Sequence, residues 1–83
     1  MGNITTITQD NEDYVWIATN KNGLYRLNRN LKLAKHYQKK DGLSDSYINS
    51  LTIDQHQNIW VTTGKSIYKL NRTTDTFSEM RIA

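Results

Sequence analysis

Few residues in this chain could do chemistry, and their spacing decides what that chemistry could be. The two histidines are His36 and His56. The first is expected on a strand and the second in a hairpin turn, which gives them no common metal ion. The acidic runs Asp10-Asn11-Glu12-Asp13 and Asp54-Gln55-His56-Gln57-Asn58 carry oxygen donors of the kind calcium binds. Neither has the glycine and bidentate glutamate that complete an EF-hand loop, so both are read as turns. Glu12 and Glu79 are the two glutamates, and they fall in different elements, leaving no carboxylate pair for acid–base work. There is no nucleophile elbow and no glycine-rich phosphate loop. With no cysteine there is no thiol nucleophile, zinc knuckle or disulfide. The segment is therefore expected to be non-enzymatic, with no cofactor and no catalytic or metal-binding residues, and with its ligand-binding residues unassigned.

Polar loops remain: Asn20-Lys21-Asn22, Gly64-Lys65-Ser66, and the stretch from Gln38 to Tyr47. Loops that converge from several elements are where ligands usually sit. The rest of the composition narrows the partners. The 83 residues hold 11 Lys+Arg against 8 Asp+Glu, a net charge of +3 spread along the chain, with Lys39-Lys40 the one adjacent basic pair. A nucleic-acid groove needs a denser basic stripe, so no nucleic-acid partner is expected. No apolar run approaches the ~20 residues of a membrane helix, and the first residues lack an apolar signal-peptide core. No membrane contact is expected in this segment. The Met1–Thr6 myristoylation pattern and the sequons Asn3-Ile4-Thr5 and Asn71-Arg72-Thr73 are short, common patterns that carry no argument.

The elements that must position these loops are strands. Ten threonines, five tyrosines and two tryptophans suit a pleated, half-buried surface, and nine asparagines with four glycines supply turns. No window holds an amphipathic helical period. Period-2 runs predict strands at Ile4–Thr8, Tyr14–Thr19, Leu24–Asn28 and Leu31–Tyr37, then at Ile48–Asp54, Ile59–Thr63, Ile67–Asn71 and Thr76–Ile82.

The two sets repeat. Ile4–Asp10 matches Ile48–Asp54, Val15-Trp16-Ile17-Ala18-Thr19 matches Ile59-Trp60-Val61-Thr62-Thr63, and Leu24–Arg29 matches Ile67–Arg72. A unit of about 43 residues and four strands has the size of a β-propeller blade. The fold class is all-β, two four-stranded antiparallel propeller blades, with residues 1–45 forming blade 1 and its inter-blade loop and residues 46–83 forming blade 2. Val15 and Ile17 should face one side of their blade, and Tyr14, Trp16 and Ala18 the other. Trp16 and Trp60 should fill the gaps between neighbouring blades. The aspartates of the acidic turns should accept backbone N–H groups two residues on.

The residues Asp10, Trp16, Thr19, Gly23-Leu24-Tyr25 and Asp41-Gly42-Leu43-Ser44, followed by Asp54, Trp60, Thr63 and Tyr68, resemble the two-component regulator propeller repeat over essentially the whole chain. Asp13 and Gln57 stand where that repeat usually has a turn glycine, and its Gly-Gly-Leu/Ile lead-in to the third strand is reduced to Asn22-Gly23-Leu24 and Ser66-Ile67. The resemblance implies a sensor region of a bacterial hybrid two-component system histidine kinase, periplasmic, with an oligosaccharide as its ligand class. The expected function is a fragment of an extracytoplasmic ligand-sensing propeller. The alternatives are a small self-assembling lectin-like binding protein and, more remotely, a fragment of a propeller enzyme. Signal output lies outside these residues. Expected partners are other propeller blades, of the same parent chain or of a homo-oligomer. Two blades leave two open faces, so self-association is expected: a ring of three or four chains, or a strand-exchanged dimer.

Overall fold

The computed structural model describes residues 3–43 and 47–80. Met1 and Gly2, the Ser44 end of the Asp-Gly-Leu-Ser motif, the expected blade boundary at 45/46 and the Ile82 end of the last strand lie outside the described residues. Eight strands follow in order: β1 Ile4–Gln9, β2 Val15–Thr19, β3 Leu24–Leu27, β4 Leu33–Tyr37, β5 Ile48–Ile53, β6 Ile59–Thr63, β7 Ile67–Asn71 and β8 Thr76–Met80. They form two antiparallel meanders, β1-β2-β3-β4 and β5-β6-β7-β8. Among the described residues the fold is all-β apart from one 3₁₀ turn at Lys39–Asp41, which the sequence reading did not include. Asp41 ends that turn and accepts the Gln38 backbone N–H at 2.9 Å, while Gly42 takes φ +97°.

The repeat extends to irregularities. The first pair of each sheet, β1–β2 and β5–β6, slips by one residue at the same place, between Ile4 and Thr6 in the first sheet and between Ile48 and Ser50 in the second. Within the regular parts, pairing puts Ile7, Ile17 and Tyr25 across from one another on one face and Trp16 and Arg26 on the other. Leu31 is not in a strand, contrary to the sequence reading. It takes φ +61°, where an extended backbone is impossible, and β4 starts at Leu33.

The two sheets pack face to face in sequence order. The Trp16 face of the first meets the Ile59–Val61 face of the second, and one core joins Trp16, Ala18, Leu24 and Tyr37 to Ile48, Leu51, Ile59, Val61, Tyr68, Leu70 and Phe77. Full burial of each aliphatic side chain stabilises by roughly 1.5–3 kcal/mol. Leu43, in the connection between the sheets, is also fully buried in this core. Beside it Gly42 lies so close to the Phe77 carbonyl that a Cβ would collide with it, so the connection takes only glycine there.

Candidate functional site

Two regions concentrate polar side chains: the turn end of the joint between the sheets, and the opposite end, where the loops proposed to bind ligand lie.

At the turn end each β1–β2 or β5–β6 hairpin is organised by one aspartate. Asp10 Oδ1 accepts the N–H groups of Glu12 and Tyr14 at 2.8 and 3.0 Å, and Asp54 Oδ1 accepts those of His56 and Asn58 at 2.8 and 2.9 Å. The acceptor role expected of these aspartates is therefore present. Their second oxygens do something the sequence reading missed. Asp10 Oδ2 accepts the Trp16 indole N–H at 2.9 Å, and Asp54 Oδ2 accepts that of Trp60 at the same distance. The signal was available, because both repeats keep an aspartate six residues before the tryptophan. The Trp60 indole, followed by the Asn58 and His56 backbone amides, holds the Asp54 carboxyl well below the usual carboxylate range. Asp13 and Gln57, standing where the repeat has glycine, both take left-handed backbone at φ +67° and +64°.

These turns also meet across the joint. The Asn11 N–H donates to Gln57 Oε1 at 2.9 Å, and Arg72 lies 3.8 Å from Asp10 and 3.6 Å from Glu12. Further along, Asp75 ties the second sheet to the first. Its carboxylate accepts the Tyr37 hydroxyl at 2.6 Å and lies 3.2 Å from the Lys35 ammonium and 3.8 Å from the Arg26 guanidinium. Burial alone would raise the Asp75 pKa. The hydrogen bonds from Tyr37 and Lys35, with the two cations, outweigh it and hold the carboxyl below its usual value. Burial, then the bond to Asp75, pushes the Tyr37 phenol up. Arg26 lies beneath the Tyr14 ring at 4.7 Å and near the Trp16 ring at 5.6 Å. Nothing in the sequence pattern pointed to this cluster.

At the opposite end, Thr19 and Thr63 organise the loops after β2 and β6. The Thr19 hydroxyl donates to the Gly23 carbonyl at 2.8 Å and accepts the Asn22 N–H at 2.9 Å. The Thr63 hydroxyl accepts the Lys65 and Ser66 N–H groups at 3.1 and 3.2 Å. Asn20 and Asn3 exchange hydrogen bonds, so this loop lies at the start of β1. Because the β1–β2 and β5–β6 turns meet at the other end, the loops at Asn20–Asn22 and Gly64–Ser66 share one rim, at the end where β5 begins. Beside Lys65 a hollow of about 740 Å³ is lined by Thr62, Gly64, Ser66, Glu79 and Met80. The Ser66 hydroxyl donates to Glu79.

The histidines stand where the sequence placed them, on β4 and in the β5–β6 turn, at opposite ends. His36 stacks on Tyr25 at 4.0 Å with a ring nitrogen 2.5 Å from the Asn22 carbonyl. Glu12 and Glu79 are likewise apart: Glu12 meets Arg72 across the joint, and Glu79 meets Ser66 within the second sheet. Among the described residues no three His, Asp or Glu side chains are grouped to hold a metal ion, and no helix is long and apolar enough to cross a membrane.

Comparison with known proteins places this architecture. Two solved structures of the extracellular domain of BT4673 from B. thetaiotaomicron, described in one as a hybrid two component system and in the other as a one component system, superpose on 93% of the chain. The TM-scores are 0.83 and 0.81 at 24% and 25% identity. The chain spans only 12% of the length of either structure, so these likenesses speak for the fold of a small part of a larger domain. No curated protein matches the chain. The family model of the two component regulator propeller matches residues 2–21 and 42–65, which hold β1 and β5, both aspartate turns and both Trp strands. With more than half of its residues matched and each match carrying the same turn and strand geometry, the chain belongs to the two component regulator propeller family.

Proposed function

We propose that this chain forms two non-enzymatic blades, residues 1–45 and 46–83, of an extracytoplasmic propeller that senses a ligand for a two-component regulator. The observation that carries the reading is the shared rim. Two loops of equivalent position, each shaped by a threonine hydroxyl and each carrying a lysine, Lys21 or Lys65, stand at one end of the paired sheets. The threonine and serine hydroxyls and the lysines of such a rim supply hydrogen-bond donors and acceptors, which suits a hydroxyl-rich ligand of the oligosaccharide class. The periplasm is the proposed compartment, in line with the extracellular domains that the chain resembles.

NMR titration of the labelled chain with a panel of oligosaccharides tests this. Expected are amide shifts at Asn20–Asn22 and Gly64–Ser66, with the Asp10 and Asp54 turns unmoved and the sugar recovered intact. Shifts confined to the aspartate turns, or cleavage of the sugar, would overturn the reading.

A further inference from the structure

The arginines of the β3–β4 and β7–β8 turns hold the same place in the repeat and make different pairs. Arg29 follows Asn28 and Arg72 follows Asn71, and each asparagine shapes its turn by accepting two backbone N–H groups. Asp13 and Gln57 also correspond. Each lies three residues after its turn aspartate, donates its N–H to that aspartate's carbonyl and takes left-handed backbone. In the first sheet the Asp13 carboxylate holds the Arg29 guanidinium at 2.9 Å and accepts from the Gln9 amide at 3.5 Å. A carboxylate at this position therefore reaches the arginine of its own sheet.

In the second sheet the same position is an amide. Arg72 keeps a long bond to the Gln57 carbonyl at 3.4 Å, and among the described residues no carboxylate of its own sheet pairs with it. It points across the joint instead, 3.8 Å from Asp10 and 3.6 Å from Glu12. The Gln57 side chain crosses too, and its Oε1 accepts the Asn11 N–H at 2.9 Å. Glycine, usual at this point of the repeat, has no side chain that could cross, and any other residue at φ +64° costs backbone energy. The apolar core behind the turns is non-directional, whereas these bonds have direction.

We propose that Gln57 is the positioning residue that sets the second sheet's turns on the β1–β2 turn of the first. Its uncharged side chain leaves Arg72 free to pair with Asp10 and Glu12, and its Oε1 takes the Asn11 N–H. The β1–β2 turn offers what such a pair recognises, a backbone N–H beside two carboxylates. A carboxylate at position 57 would do the opposite. It would compete for the guanidinium, because a charged acceptor binds it more strongly than a carbonyl does. The joint lies inside the chain, and its pairing is independent of what the rim binds.

NMR of the labelled chain, wild type against Gln57→Asp and Gln57→Gly, tests this. In the wild type, NOEs are expected between the Arg72 side-chain protons and Glu12, with the Asn11 amide protected from exchange with water. Gln57→Asp should abolish those NOEs, because its carboxylate draws Arg72 back, and should speed Asn11 exchange about fivefold. Gln57→Gly should speed that exchange by a similar factor yet keep the Arg72–Glu12 NOEs, because nothing competes for the arginine. A side chain of purely local importance would not split the two variants at Arg72. Circular dichroism reports that both stay folded, as expected for a half-buried side chain in a turn. Wild-type exchange at Asn11 in either variant would overturn the assignment. So would Arg72–Glu12 NOEs that survive Gln57→Asp or vanish in Gln57→Gly.

Discussion

Trp16 and Trp60 occupy the same place in two copies of one unit, yet they live in different surroundings. Each sits mid-strand and donates its indole N–H to an aspartate at 2.9 Å. Trp16 is fully buried against the second sheet, stacked on Tyr37 at 5.7 Å, whereas Trp60 is half-buried on an outer face. Asp10 is buried and Asp54 is not, for the same reason: the Arg72 loop covers one, and among the described residues no such loop covers the other. The expectation that both tryptophans fill gaps between blades therefore holds within this chain only for Trp16. The repeat sets local geometry, and the neighbour sets burial.

The largest way to test that contrast is to truncate both rings. Trp16→Ala should cost about 3–5 kcal/mol in urea denaturation, enough to unfold a domain of this size. Trp60→Ala should cost about half as much at dilute concentration, because part of its surface is already in water. Equal losses would mean that the two faces are equally covered.

Next is the cluster around Asp75 at the joint between the sheets. Asp75→Ala strips the Tyr37 hydroxyl and two cations of their acceptor and should cost about 1–3 kcal/mol. Leu31→Ala, at the corresponding place on the outer face, should change the stability of the dilute chain by less than about 0.5 kcal/mol.

Acid separates the carboxylates. Asp54 and Asp75 have folded pKa values below the ordinary 3.8, so their contribution is present above that value and is lost as pH falls through the depressed ones. Melting temperature should be flat from pH 7 to about 5 and drop below about 4, and Asp75→Asn should make that drop shallower. Tyr37 acts in the other direction. Its raised pKa favours the neutral phenol, so its contribution holds below the ordinary 10.0 and fades as pH rises beyond it.

The smallest effect lies in the left-handed turns. Leu31→Gly removes a Cβ from a backbone at φ +61° and should stabilise by up to about 1 kcal/mol. Gln57→Gly relieves similar strain but also removes the acceptor of the Asn11 N–H, so its net change in melting temperature should be near zero. A gain at Gln57 matching that at Leu31 would show that the bond across the joint contributes little.

Much of this protein was written locally. Eight strands, their pairing into two meanders, the two acceptor aspartates and the opposed faces of Trp16 and Ile17 follow from period-2 patterning and turn chemistry. Those forces act within one hairpin, over separations such as the 6 residues from Asp10 to Trp16. Departures were also local where backbone geometry overrode pattern: Leu31 left its strand because a left-handed residue cannot continue one, and Lys39–Asp41 wound into a 3₁₀ turn under its own cap. The loops after β2 and β6 were legible as polar, but their sharing of one rim follows only from how the two sheets are joined. What tertiary structure alone decided is the chemistry of the joint. Asp75 meets Tyr37 across 38 residues, and Asn11 meets Gln57 across 46. No periodicity encodes such pairs, because they depend on how one finished sheet is rotated onto the next. The same rotation buries one tryptophan and leaves its twin half in water.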